Sequence, residues 1–429
     1  MLKQRRFLMP AAVFTFSMLL VACAPDRDEE QVDSESIDGE NGGGEPEQPE
    51  SLHMWINDDD DQIAAIETIA ERYTEETGIE VELTTMSMFE QGENMALDGP
   101  AGSGPDIYFV PHDHTGNLAV QNLIEPIELD PEDEDRFTDE SLQGMTYEGE
   151  LYGVPFVSET YGLLYNEELV PEAPKTMEEL EKIAEELTDT ANDEYGFLAE
   201  TSEMYFSYPF IAGYGGYIFG ETEDGYNPDD IGLNNEGAIE GAEKIKNWHD
   251  NDWIPSTIDP EIQDGLFTEG NVGVSLTGPW NIPSYAAGIG EENLSSAALP
   301  ELSNGEVAPS LIGFKSWVMS PYSEHQYWAQ DLMLFMTEDE NNMHYYREAG
   351  EMPAVEELLE DPEIADDELM QGFAEQTLNG EPMPNIPEID QVWEASEDAL
   401  QFISEGEDPE EVFDEAVDQI YENIEMMGN

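Results

Sequence analysis

The chain has 429 residues and carries 101 Asp and Glu against 12 Lys and Arg, a formal net charge of −89. Such a surface gathers no free energy from displacing phosphate counterions, which argues against nucleic-acid binding, and anionic lipid headgroups repel it. With 39% hydrophobic and 10% aromatic residues there is ample apolar mass for a core, so the charge coats a folded protein of one large or two smaller domains.

The basic residues are concentrated at the start. Lys3, Arg5 and Arg6 precede an apolar run from Phe7 to Ala22 that is too short for a membrane span and is built like a secretory signal. Its end, Leu20-Val21-Ala22-Cys23, resembles a bacterial lipobox, and Cys23 is the sole cysteine. Residues 1–22 are therefore read as a lipoprotein signal peptide. Cys23 becomes the lipidated first residue of the mature chain, held on the outer face of the membrane. Arg5-Arg6 before Phe7-Leu8-Met9 also resembles a twin-arginine signal, which leaves the export route open. A lone cysteine allows no internal disulfide, so stability rests on the core. Residues 23–50, rich in Asp, Glu, Gly and Pro, read as a flexible acidic tether.

Regular structure is expected from Leu52. Leu52–Ile56 reads as a buried strand. Ile63, Ile66, Ile69, Ala70 and Tyr73 then recur at helical spacing up to Gly78, and Ile79–Leu83 alternates apolar and acidic residues as a half-exposed strand does. This β-α-β opening predicts a sheet that is parallel in part. Ile107–Val110 predicts another strand, and Tyr152–Pro155 and Gly162–Tyr165 two strands around a crossover. Thr176 with Glu179 makes a capping box for a helix carrying Met177, Leu180, Ile183, Ala184 and Leu187. Asp408-Pro409 opens a terminal helix that buries Phe413, Ala416, Val417, Ile420 and Ile424. There is no internal repeat and no heptad array. The expectation is an α/β protein with more than one lobe.

No metalloprotease, nucleophile-elbow, P-loop or dinucleotide fingerprint occurs, and the sequence assigns no catalytic residue and no cofactor. On a strand, His112 and His114 would share a face. Without further spaced ligands a zinc site is the weaker reading, and no metal is expected. Asp58–Asp61 lacks the glycine and final Glu of an EF-hand and reads as a solvated loop. Among 101 acids, no single pair of carboxylates marks a glycosidase. What remains is a pattern of aromatics and acids in loop contexts: Glu203-Met204-Tyr205, Trp280 after Thr277-Gly278-Pro279, and Trp393 after Met383-Pro384-Asn385-Ile386-Pro387. Aromatic rings stack on the C–H faces of a neutral sugar, and carboxylates accept from its hydroxyls. A lone Trp is more often core, so the pattern carries the reading rather than any one ring.

The chain resembles the maltose/maltodextrin-binding proteins of sugar ABC transporters, within the family 1 extracellular solute-binding proteins. The resemblance rests on Leu52-His53-Met54-Trp55-Ile56-Asn57; on Gly104-Pro105-Asp106-Ile107 leading to His112-Asp113; and on Gly153-Val154-Pro155 through Glu159 to Leu164-Tyr165-Asn166. It continues with Tyr205-Phe206 through Pro209 to Gly215-Gly216-Tyr217, with Gly278-Pro279-Trp280, and with Gly380 to Pro387 followed by Trp393, in family order across nearly the whole mature chain. It implies a two-lobed, periplasmic-binding-protein-like α/β fold of type II, with a hinge and an interlobe cleft that closes on its ligand. The implied lobes are residues 51–157 with 317–356, and 158–316 with 357–429. The resemblance makes Tyr205, Trp280 and Trp393 stacking platforms, and Asp59, Asp113, Glu159 and Glu203 hydroxyl acceptors. It implies a monomeric receptor, not an enzyme, that hands an oligosaccharide to the membrane permease subunits of an ABC importer. Asp60, Val110, His114 and Glu394 stand where the family often has Lys, Trp, Arg and an aromatic. These departures leave the saccharide's identity and length open. Another sugar, a cationic solute such as a polyamine, and a secreted glycan-acting enzyme stay as alternatives. The acid excess itself reads as a surface adapted to a saline or alkaline exterior, since the screening length shrinks to about 3 Å at 1 M salt.

Overall fold

The computed structural model describes residues 46–222 and 225–427, so the signal peptide, Cys23 and the tether as far as residue 45 lie outside the described residues. The chain divides at Pro46, and the fold belongs to the unit that begins at Glu47. It opens as β1 (Ser51–Ile56), α1 (Asp60–Thr77), β2 (Glu80–Thr85), α2 (Met88–Ala101) and β3 (Ile107–Pro111). Alternation along these strands builds two cores at once. Leu52, Met54 and Ile56 of β1 face one apolar cluster together with Ile107 and Phe109 of β3. Trp55, Tyr108 and Val110 face a second, where Met95 and Leu118 meet them. A period of two thus buries both faces of one sheet, as parallel strands require. α1 starts where Asp59 accepts from the amides of Asp61 and Gln62, and it stops at Gly78, whose φ of 82° is a left-handed turn that suits glycine.

The chain continues through β4 (Gly153–Glu159), β5 (Gly162–Asn166), α3 (Met177–Leu187), β6 (Tyr195–Leu198), α4 (Met204–Ala212), α5 (Glu236–Asp250), β7 (Val272–Thr277) and β8 (Leu294–Ala297). It ends with β9 (Ser310–Met319), α6 (Asp339–Ala349), β10 (Met352–Pro353), β11 (Gly380–Pro382), α7 (Asp390–Ser404) and α8 (Pro409–Met427). The strands form two main sheets. The larger runs β10-β4-β9-β3-β1-β2 with β11 beside β9, and the smaller runs β8-β5-β7-β6. β1 is parallel to β2 and β3, whereas β9 is antiparallel to β3 and β4. In the smaller sheet β7 is parallel to β6 and antiparallel to β5. The chain passes from the larger sheet to the smaller between Glu159 and Gly162, and returns between Ala297 and Ser310. This is a two-lobed α/β fold with one sheet per lobe.

The helices close each lobe for legible reasons. Thr176 caps α3 by accepting from the Glu179 amide at 3.3 Å, a bond worth about 1 kcal/mol. The Glu179 carboxylate takes the Lys175 amide at 2.7 Å, one residue earlier than a fully reciprocal box would. Asp408 caps α8, which buries Phe413, Ala416, Val417 and Ile420 and leaves Ile424 partly buried. Each such fully buried large side chain contributes about 1.5–3 kcal/mol. Helices α4, α5, α7 and α8 pack on one another. Trp248 of α5 joins them to the smaller sheet, meeting Phe197 of β6 at 5.7 Å and Phe210 of α4 at 4.8 Å, both edge-on. Among the described residues no helix is long and apolar enough to cross a membrane.

Candidate functional site

β3 stops at Pro111, and the chain turns directly into a short helical turn, His112–His114. The two histidines therefore stand in a turn and not on one strand face. His112 is buried with both ring nitrogens engaged: the Phe314 amide donates to Nδ1 at 3.1 Å, and Nε2 donates to the Met383 carbonyl at 3.1 Å. Burial lowers its pKa and keeps the ring neutral. A ring spent on two backbone groups has no lone pair for a metal. Among the described residues, no group of three or more His, Cys, Asp or Glu side chains is arranged to hold one.

The turn brings Asp113 to a cleft of about 360 Å³. Met88, Phe89, Pro111 and His114 line it from the larger-sheet side with Asp113, and Glu203, Tyr205, Trp393 and Glu397 line it from the helices of the other lobe. Glu159, at the crossover, and Met383 complete the lining. Five residues singled out by the sequence thus meet here: Asp113, Glu159, Glu203, Tyr205 and Trp393. Asp59 and Trp280 are not in this lining. Asp59 is exposed and occupied with capping α1. Trp280 folds back on its own chain, its ring so close to Gly278 that a Cβ there would lie 1.9 Å from it.

The polar atoms of the cleft are held in particular ways. Asp113 Oδ2 accepts from the indole N–H of Trp393 at 3.0 Å, a bond that joins the two sides. Asp113 Oδ1 is buried without a partner, and so is the Tyr205 hydroxyl. The Tyr205 ring is fixed edge-on by Tyr161 at 4.7 Å and by Phe206 at 5.1 Å. Glu203 sits at the N-cap of α4 but makes no capping bond, so its carboxylate is left to the cleft. Glu159 receives the Lys315 ammonium at 2.7 Å. On the helical side, burial raises the Glu203 carboxyl, and desolvation with Glu203, Asp398 and Glu394 nearby pushes Glu397 up to about 7. Behind them Glu200 is 9% exposed, has Oε2 unpartnered, and is pushed up to about 8 by burial and then by Glu203, Asp259, Glu397 and Asp264.

Three contributors escaped the sequence reading. Met88 and Phe89 open α2, and Phe89 is 64% exposed at the cleft. Asn57 was visible as part of the first motif, and its role is now concrete. Its Oδ1 accepts from the Met88 amide at 2.9 Å and so fixes where α2 begins. Glu397 lies four residues after Trp393, hence on the same helix face; that spacing was the available signal. Asn385, by contrast, is an anchor, donating to the carbonyls of Gly144 and Thr146 at 2.8 and 3.0 Å.

Two α/β lobes enclosing a cleft lined by aromatics and carboxylates define a solute-binding protein. Residues 68–372 match the family described as bacterial extracellular solute-binding protein, and the chain belongs to that family. A galactooligosaccharide-binding protein of Bacillus subtilis is 34% identical over 421 residues, which cover 96% of this chain and 95% of that protein. A maltodextrin-binding protein of the same organism is 33% identical over 369 residues, 84% of this chain and 87% of the other. The crystal structure of a cyclo/maltodextrin-binding protein complexed with maltotetraose matches with a TM-score of 0.76 at 36% identity, over 89% of this chain and 99% of that one.

Proposed function

We propose that the protein is an extracellular receptor that binds an oligosaccharide of the maltodextrin class in its cleft and delivers it, unchanged, to the permease subunits of an ABC importer. The observation that carries this reading is the pair of buried, unpartnered polar atoms in one cleft, Asp113 Oδ1 and the Tyr205 hydroxyl. Buried polar atoms are almost always satisfied. A sugar supplies hydroxyl donors to the first, an oxygen acceptor to the second, and C–H faces to the rings of Tyr205 and Trp393. In this reading Asp113, Glu159 and Glu203 accept from hydroxyls. Asp59 and Trp280 join from outside the present lining when a lobe of residues 51–157 and 317–356 closes on one of 158–316 and 357–429. Cys23 carries the lipid that keeps a monomeric receptor at the outer face of the membrane, the acidic coat suits a saline exterior, and no residue is assigned to catalysis.

The near full-length likeness to a galactooligosaccharide-binding protein favours a second ligand within the same chemical class. Titration calorimetry with maltotetraose, a galactooligosaccharide and spermidine tests the reading. Binding of maltotetraose is expected. Tighter binding of the galactooligosaccharide moves the ligand, and binding of spermidine alone overturns the saccharide reading. Chromatography of the recovered sugar is expected to return it uncleaved.

A further inference from the structure

Lys315 is the one Lys or Arg side chain buried among the described residues, 3% exposed in a chain with 101 acids. It stands on β9, beside the point where the chain leaves the larger sheet. Its ammonium lies 2.7 Å from Glu159 Oε2, is ion-paired to Glu351 Oε1, and sits 5.1 Å from the centroid of the Trp280 ring. Glu351 is held in turn by the Tyr345 hydroxyl at 2.9 Å. The surroundings are built for this arrangement. Gly313 pairs with Glu159 across β4 and β9, and a Cβ there would lie 2.9 Å from the Glu159 carboxylate. Gly278 leaves the room in which the Trp280 ring lies.

We propose that Lys315 is a positioning residue for ligand binding: it keeps the cleft carboxylate of Glu159 ionised and aimed, and it holds the Trp280 ring of the other lobe by a cation–π contact. This rests on the reading of the cleft as a saccharide site. The physical argument is one of compensation. A carboxylate 7% exposed takes up a proton unless a cation opposes burial, and a protonated carboxyl accepts poorly from sugar hydroxyls. Burial leaves the Glu159 carboxyl raised, Lys315 is the one group that opposes that rise, and Glu351 and Asp113 add to it. The other titratable groups facing it are Asp113 from the turn after β3, Tyr205 from α4 and Tyr345 from α6, none of them a cation. A cation over the face of an indole is attracted by the ring, more strongly where water is excluded. Lys315 thereby serves both Glu159 and Trp280, two residues the sequence assigned to the site and of which only the first lines the cleft.

The test compares wild type with Lys315→Met. Infrared difference spectra of the ligand-free proteins are expected to show a protonated carboxyl in Lys315→Met at neutral pH that disappears in Lys315→Met/Glu159→Gln. Calorimetry with maltotetraose is expected to give a Kd roughly ten-fold weaker at pH 7, the equivalent of one pKa unit. The ratio of mutant to wild-type Kd is expected to shrink as the pH rises to 9.5 and Glu159 ionises again. A purely structural lysine would leave that ratio flat, and a flat ratio or no protonated carboxyl overturns the inference. Should Lys315→Met fail to fold, Lys315→Met/Glu351→Gln removes one carboxylate along with the cation and is read the same way. A wild-type protein that ignores maltotetraose sinks the saccharide reading instead, and the infrared result still judges Lys315.

Discussion

The two walls of the cleft treat their charges in opposite ways. On the larger-sheet side each cleft carboxylate has a protein partner on one oxygen: Asp113 Oδ2 takes an indole N–H, with Oδ1 left for a ligand, and Glu159 an ammonium. On the helical side Glu203 and Glu397 line the cleft with Glu200 behind them, and none of the three is ion-paired. Burial raises all three, and neighbouring carboxylates add to the rise of Glu200 and Glu397; burial raises Glu159 as well, but there the Lys315 ammonium opposes it. Geometry is stored mainly on the first wall, and affinity is left to be gained mainly on the second. The compensated wall is preorganised before any ligand arrives. The uncompensated wall has only a ligand's hydroxyl donors to satisfy it.

The bond that joins the walls gives the largest expected effect. Trp393→Ala removes a stacking face and the partner of Asp113 Oδ2 together. Buried Trp anchors of this kind cost about 2 kcal/mol or more when truncated, about thirty-fold in Kd. Calorimetry with maltotetraose checks it, and a Trp393→Phe variant that keeps most of the affinity would assign the effect to stacking. Glu203→Gln comes next. Losing a charged acceptor costs about 1.5 kcal/mol in binding, yet it also relieves Glu200 and Glu397. The melting temperature of the ligand-free protein is therefore expected to rise while Kd weakens. A fall in both would erase the distinction between the walls.

Much of this was legible in the residues, and the rest was not for identifiable reasons. β1 and α1 followed from apolar patterning, since burial on both faces or on one stripe leaves a regular mark on the sequence, and the strands on either side of the crossover were placed, although β4 runs on to Glu159, past the expected Pro155. Gly78 and Thr176 marked helix ends by their conformational and hydrogen-bonding chemistry. The cleft was half legible. Asp113, Glu159, Glu203, Tyr205 and Trp393 came from motifs, and Glu397 could have been found from its helical spacing to Trp393, but Glu200 was lost among 101 acids, because a long-range field has no local pattern. His112 and His114 do not share a strand face because β3 ends at Pro111 and the chain turns at once into a helical turn. The partnership of Lys315 with Glu159, Glu351 and Trp280 joins residues up to 156 positions apart in the chain (315 − 159) and leaves no trace in spacing.

The raised carboxyls make stability depend on pH with a definite sign. Glu200 titrates near 8 in the folded protein against an ordinary value of 4.5. Between those values the folded state holds a proton that the unfolded state has lost, so stability falls as the pH rises through that window and levels off above it. The loss is at most about 1.4 kcal/mol per pH unit. Thermal melts from pH 5 to pH 9 are expected to decline, and Glu200→Gln is expected to flatten the decline. A melting temperature that is level across the window in wild type would mean that the helical wall is compensated after all.

The smallest effect probes the opposite wall. Gly313 faces Glu159 across the β4–β9 pair, and its missing Cβ is what lets the carboxylate stand there, since an added one would lie 2.9 Å from both Cγ and Oε1. Gly313→Ala leaves every charge in place and moves one of them. Overpacking of this kind costs about 1 kcal/mol. If Glu159 is held rigidly by Lys315, the methyl group cannot be absorbed by a free swing of the side chain, and the cost is shared between stability and Kd. Melting and calorimetry on the same variant separate the shares. A lower melting temperature with unchanged Kd would show that the sugar tolerates a displaced Glu159, and the larger-sheet wall would then be rigid for the sake of the hinge and not of the ligand.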